Sequence, residues 1–347
     1  MSLVSSMLKA DLSHMAQNEL KDIITSRTIT ADELSKARHS PRGDVAAVLS
    51  NQIAAVKLIT DQDFLMRIAL STRIPALCES AVAGITDQGY LEEIAKGVKQ
   101  GIIRSAAVLK LKDYELVKNL FMHDQDPTVV NAACSLIKEQ VFLADYLKRA
   151  SNQMSEDFRK RAAIVNITDD NLLWDLANSN IMIYGKNALS LIIIKIKDEE
   201  IAREIIAKAL SDDPSSLSFK VFKNITDQEF LKDVAKNELH TYKLRYGAIR
   251  NISDSEFLIS LVKDGLSDKN MWYSDRGQIK MMHSLSESER DRCRFVSAAI
   301  MGITDVSFLK EVDSNLAVKM LLGNVIKDRI SQIESESATL RNVRRTK

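Results

Sequence analysis

Apolar residues recur along this chain with helical spacing, and the pattern restarts at a fixed punctuation mark. The mark is an apolar residue followed by Thr-Asp or Ser-Asp, and it stands at Ile59, Ile85, Ile167, Ile225, Ile252 and Ile303. Looser copies stand at Leu111, Ile137, Ile196 and Ile326. From 59 to 252 the successive intervals are 26, 26, 26, 30, 29, 29 and 27 residues. A period of this size is the signature of a stacked repeat, and it decides the architecture before local propensity does. Counting the anchor as zero, apolar residues fall at plus five, six and nine, as in Phe64, Leu65 and Ile68, or Phe230, Leu231 and Val234. That spacing predicts a helix, A, after each anchor. Before the anchor, small pairs at minus five and minus four predict a second helix, B, whose axis approaches its neighbours closely. The pairs include Ala54-Ala55, Ala106-Ala107, Ala132-Ala133, Ala162-Ala163, Gly247-Ala248 and Ala298-Ala299. Pro75, Pro127 and Pro214 lie ten or eleven residues before their anchors, where a first-turn proline belongs.

The turn between B and A is also patterned. Gly84, Asn166, Asn224, Asn251 and Gly302 precede their anchors and are residues that tolerate the left-handed conformation ending many helices. The Thr or Ser after the anchor is a cap candidate, and Thr226 with Glu229 and Ser253 with Glu256 have capping-box spacing. The Asp that follows favours the positive end of helix A.

The reading is an all-α chain, an α-solenoid of about eleven antiparallel helix pairs. Asp126-Pro127-Thr128-Val129-Val130-Asn131-Ala132-Ala133 resembles the Asp-Pro-x-Val-Arg-x-Ala-Ala signature of bacterial HEAT-like repeats, and Phe158-Arg159-Lys160-Arg161-Ala162-Ala163 is a looser copy. The resemblance spans about residues 45–330, with a shorter period than many HEAT units. It implies an open superhelix whose B helices line a concave face, and it carries fold rather than activity. Three regions follow: a helical cap over 1–44, the repeat over 45–330, and a basic tail over 331–347 that reads as disordered.

Composition narrows the functional classes. The 48 Lys and Arg against 47 Asp and Glu argue against general polyanion binding but allow a local basic stripe. Cys78, Cys134 and Cys293 lack pairing or metal-ligand spacing, as expected of a reduced cytoplasmic protein. The longest apolar run, Leu189 to Ile194, is too short to span a bilayer, and the N-terminus lacks a signal-peptide layout. Among the histidines, His14, His39, His123, His240 and His283, none is followed by Glu and no two lie within ten residues. No zinc spacing, glycine-rich phosphate loop or nucleophile elbow is present, so neither cofactor nor catalytic residue is expected.

The candidate binding residues are cations of helix B. Arg104, Lys160 and Arg245 share position minus seven, with Arg161, Lys186, Lys220, Lys243, Arg250, Arg292 and Arg294 nearby. They form either a basic stripe or a ladder to the Asp residues that open neighbouring A helices. Trp272 and Tyr273, in an irregular stretch over 266–278, are candidate anchors for a partner, whereas Trp174 reads as core. The expected function is a non-catalytic scaffold holding a protein or peptide partner. The alternative is nucleic-acid binding, in the manner of HEAT-like DNA glycosylases.

Overall fold

The computed structural model describes residues 15–26, 29, 33, 44–71, 74–151, 153–267, 283 and 285–345. Among these the chain is helical almost throughout, and short helices alternate with three-residue turns such as 85–87, 137–139, 167–169 and 303–305. Two compact units divide it, one of residues 1–146 and 155–166, the other of 147–154 and 167–347.

The first unit comprises α1 (Gln17–Thr25), α2 (Asp44–Leu58), α3 (Gln62–Ser71), α4 (Pro75–Gly84), α5 (Gln88–Gly97), α6 (Gly101–Val108), α7 (Tyr114–His123), α8 (Pro127–Leu136), the start of α9 (Gln140–Arg149) and α10 (Asp157–Asn166). α2, α4, α6 and α8 each pack on the A helix before them, and α2, α4, α6, α8 and α10 follow one another in a row. Pro75 and Pro127 occupy the first turns of α4 and α8, where a missing N–H costs nothing. Alanines at minus four, Ala55, Ala81, Ala107, Ala133 and Ala163, are fully buried and set the close spacing of that row. The anchors Ile59, Ile85 and Ile137 are buried between the helices they join.

The second unit contains α11 (Asp170–Ala177), a hairpin of β1 (Met182–Ile183) and β2 (Lys186–Asn187), α12 (Leu189–Ile193), α13 (Glu199–Asp212), 3-10 turns over Pro214–Ser216 and Phe219–Asn224, α14 (Gln228–Lys236), α15 (Tyr242–Ile249), α16 (Ser255–Ser267), α17 (Glu287–Gly302), α18 (Val306–Ser314) and α19 (Leu316–Arg345). Here the B row is less regular. A hairpin with Tyr184 and Gly185 at positive φ (50° and 70°) precedes a B helix of five residues. Pro214 opens a 3-10 turn, and the following B segment is itself 3-10. Ile326 lies inside α19 rather than in a turn, so that looser copy marks no unit boundary. α19 remains helical to Arg345, through the stretch whose composition reads as a tail. Hydrogen bonds along its exposed side, such as Gln332 to Glu336 at 2.9 Å, accompany the continuation.

The turn chemistry differs from the expectation in two ways. First, among the described residues only Tyr184 and Gly185 have positive φ, so the Gly or Asn before the anchor is not left-handed. The helix ends because the anchor itself turns extended, as Ile85 (φ −71°, ψ 130°) and Ile303 (φ −73°, ψ 137°) show. The glycines make room instead: a Cβ on Gly84 would lie 3.0 Å from Leu65 and one on Gly302 2.4 Å from Leu258. The asparagines tie carbonyls, Asn224 donating to Ile196 O at 2.8 Å and Asn251 to Gly247 O at 3.0 Å. Second, the cap is the Asp and not the Thr or Ser. Asp61, Asp87, Asp227, Asp254 and Asp305 accept from the amide three residues on at 3.0–3.1 Å. A carboxylate satisfies the orphan donor and also complements the helix dipole. The hydroxyls of Thr226 and Ser253 turn instead to Glu199 and Gln228, so neither capping box forms.

Those last contacts belong to a ladder between successive units. The first residue of helix A bonds the backbone of the next turn. Gln62 Oε1 accepts from Thr86 N at 2.7 Å, Gln88 Oε1 from Lys112 N at 2.8 Å, Glu199 Oε1 from Thr226 N at 2.7 Å and Gln228 Oε1 from Ser253 N at 2.8 Å. A helix A cation at plus seven then meets the carboxylate that ends the next turn: Lys118 with Glu139 at 2.9 Å, Lys232 with Asp254 at 2.8 Å, and Arg203 with Asp227. In α1, Gln17 and Lys21 make the same two contacts to Thr60 N (2.9 Å) and Asp61 (2.5 Å).

These carboxylates make stability depend on acid. The hydrogen bond from Lys21 holds Asp61 below its ordinary 3.8, that from Thr128 does so for Asp126, and that from Lys232 for Asp254. The unfolded chain therefore binds protons more readily than the folded one in that range. Their contribution is complete above 3.8 and is lost as pH falls through the lower folded values. Urea midpoints should be level above about pH 5 and fall steeply below the ordinary carboxylate range. Asp254→Asn should flatten part of that fall; an unchanged pH profile in the variant would contradict the linkage.

Candidate binding surface

Positions minus nine, minus six and minus two share one face of a B helix, by their i, i+3, i+7 relation. On α6 and α8 of the first unit this face is uncharged, with Ile102, Ser105 and Leu109 on α6 and Thr128, Asn131 and Ser135 on α8; Ile102 and Leu109 are 51% and 54% exposed. In the second unit the same positions carry Phe219 and Lys223 on the 3-10 segment, Lys243, Tyr246 and Arg250 on α15, and Arg294, Ser297 and Met301 on α17. These three elements are consecutive neighbours. Lys220, Lys223, Lys243, Arg250 and Arg294 are all exposed.

Aromatic rings hold this face together. Phe219 meets Tyr246 edge-on with centroids 6.2 Å apart, and Tyr242 meets Tyr246 at 5.9 Å. The Arg250 guanidinium lies 5.7 Å over the Tyr246 ring, a cation–π contact. Gly247 permits the arrangement, because a Cβ there would lie 2.5 Å from Phe219 O. Tyr242 is half-buried, its hydroxyl has no hydrogen-bond partner, and burial raises its phenol above the ordinary value. Beneath the face, Arg245 donates to Ala235 O at 2.8 Å, and its guanidinium sits 4.6 Å from the Phe295 ring. Burial there lowers its pKa from the usual arginine value.

The structure separates the sequence candidates. The row at minus seven is no surface stripe. Arg104 donates to Val98 O at 2.9 Å and pairs with Asp124 at 2.8 Å, and Arg245 likewise closes the end of α14. At this position the fork binds the last carbonyls of helix A, which have no intrahelical partner. Lys160 is 1% exposed and pairs with Asp157 at 2.9 Å, so it belongs to the core. Arg161 is exposed on α10 of the first unit, and Lys186 is exposed on the hairpin. Arg250 does belong to that face, joined by Lys223, Lys243 and Arg294; Lys220 is exposed beside it on the 3-10 segment, and Arg292 is exposed elsewhere on α17. Trp272 and Tyr273 lie outside the described residues. Trp174 is 38% exposed rather than core, because it occupies the plus-seven position that other units give to the ladder cation.

Sequence reasoning missed Phe219, Tyr242 and Tyr246. The available signal was an aromatic at minus six in two successive units, which only the inter-unit packing turns into one cluster. The expected ladder does exist, but helix A cations make it.

Cys78, Cys134 and Cys293 are buried and form no disulfide, and burial pushes the Cys134 thiol up to about 12 and the Cys293 thiol to about 11. Such thiols stay protonated at neutral pH. Among the described residues no group of three or more His, Cys, Asp or Glu side chains is placed to hold a metal ion. No described helix is long and apolar enough to cross a membrane. No family model, curated protein or solved structure matches this chain.

Proposed function

We propose that this protein is a scaffold without chemistry of its own, an α-solenoid of HEAT-like units that holds a protein partner on its B-helix face. The supporting observation is the pre-formed aromatic and cationic cluster of Phe219, Tyr246 and Arg250 on consecutive B elements. Tyrosine and arginine dominate the energetic centres of protein interfaces. The ladder between units fixes the cluster before binding, which reduces the ordering cost of association. Nucleic-acid binding is the second reading, favoured by the five exposed cations around the cluster.

Site-specific photo-crosslinking tests the first reading. A crosslinker at Ser297, on the B face, should capture a partner from native lysate, and one at Glu204, on helix A, should not. Capture from Glu204 alone would overturn the proposal.

A further inference from the structure

We infer that the B face of the second unit takes an acidic segment of a protein partner, one that also presents an apolar or aromatic side chain. The inference rests on the scaffold reading and adds the partner's chemistry. The near-neutral total of 48 cations against 47 anions conceals a local imbalance. Lys220 and Lys223 on the 3-10 segment, Lys243 and Arg250 on α15 and Arg294 on α17 are exposed together. Among the described residues, Lys220, Lys223 and Lys243 meet no carboxylate. Arg294 pairs with Asp291 at 3.0 Å within its own helix and is still 65% exposed. On α6 and α8 of the first unit the corresponding positions carry Ile102, Ser105, Leu109, Thr128, Asn131 and Ser135, with no charge among them, while α2, α4 and α10 carry one charge each there, Lys57, Glu79 and Arg161. Exposed cations are therefore most numerous on these three consecutive elements, and their complement is a row of carboxylates, which the guanidinium of Arg250 or Arg294 can take bidentately.

The ring geometry favours a peptide over nucleic acid. Stacking a base requires an open aromatic face. One face of Tyr246 is covered by Arg250, and its surroundings are taken by Phe219 edge-on and Tyr242 tilted at 40°. What remains accessible is the rim of the cluster, chiefly Phe219 at 37% exposure, which offers contact to an apolar side chain rather than a stacking platform.

Fluorescence anisotropy with the full chain tests this. The probes are a short labelled Glu-rich peptide containing one phenylalanine, its Lys-for-Glu counterpart, and an oligouridine RNA of equal length. The variants are Lys243→Glu/Arg250→Glu and, as a charge-matched control in the first unit, Lys99→Glu/Lys112→Glu, each checked for native helicity by circular dichroism. The Glu-rich peptide should bind, weaken about tenfold or more in the α15 variant, remain unchanged in the control, and weaken further with salt. The Lys-rich peptide should not bind. Equal binding by both variants, no binding of the Glu-rich peptide, or tighter binding of the RNA overturns the inference. Partner capture through Ser297 with no affinity for the Glu-rich peptide would leave the scaffold reading standing and remove only the acidic one.

Discussion

Arg159→Ala should cost about 3–5 kcal/mol of stability, the penalty of breaking a buried charge network by removing one partner. The side chain is 1% exposed. Its Nε donates to Phe121 O at 2.6 Å, Nη2 to Asp124 O at 2.7 Å and Nη1 to Glu156 Oε2 at 2.6 Å. Both carbonyls lie at the C-terminal end of α7, where helical groups lack partners. Tyr146 donates its hydroxyl to the same Glu156 oxygen at 2.8 Å. Burial opposes ionisation of Glu156, yet the bonds from Arg159 and Tyr146 carry its pKa below the ordinary 4.5. Alanine would leave two carbonyls without their donor, leave Glu156 with Tyr146 in place of two partners, and remove the side chain that fills the space there. Arg159→Lys should also destabilise, since one ammonium cannot reproduce the three-way fork. Two residues away, exposed Arg161→Ala should lie within about 0.5 kcal/mol of wild type. Urea unfolding followed by circular dichroism measures all three. Equal stability of Arg159→Ala and Arg161→Ala would refute the network.

The second large effect belongs to Gly247. A valine there should cost about 3 kcal/mol, at the upper end of what overpacking a core usually costs. The first added carbon would stand 2.5 Å from Phe219 O, 2.9 Å from Phe219 Cα and 2.9 Å from Phe222 Cδ2. Two of those atoms are backbone and cannot rotate away, so α15 and the 3-10 segment must separate. The separation would also pull Phe219 from Tyr246 and loosen the binding face. Amide hydrogen exchange should therefore accelerate over 219–224 and 242–249, together with a lower urea midpoint. Gly97→Ala is the contrast: nothing lies within 4 Å of a Cβ at that helical position, so the change should be neutral or stabilise by up to about 1 kcal/mol. A Gly247→Val protein as stable as wild type would show that the close approach is not required.

Both positions show how far the sequence could be read. Gly247 belongs to the minus-five small pairs, so close packing there was legible, though not the identity of the neighbour it admits. Arg159 sits inside the segment that resembles a repeat signature, yet the adjacent Lys160 and Arg161 were the expected binding residues. Charge type alone does not say whether a helical residue faces the core or water. A rotation of 100° separates neighbouring helical residues, and the packing of α10 against α8 puts Arg159 and Lys160 inside and Arg161 outside.

By itself the sequence determined the helical class, the period, the buried anchors and the small-residue row of the B helices, because each repeats with its own helix and needs no distant partner to be recognised. Tertiary structure alone decided which cation forms each rung and that Phe219 meets Tyr246. Those contacts join residues about 21–27 positions apart, and only the stacking of one repeat on the next brings them within hydrogen-bonding or ring-contact range.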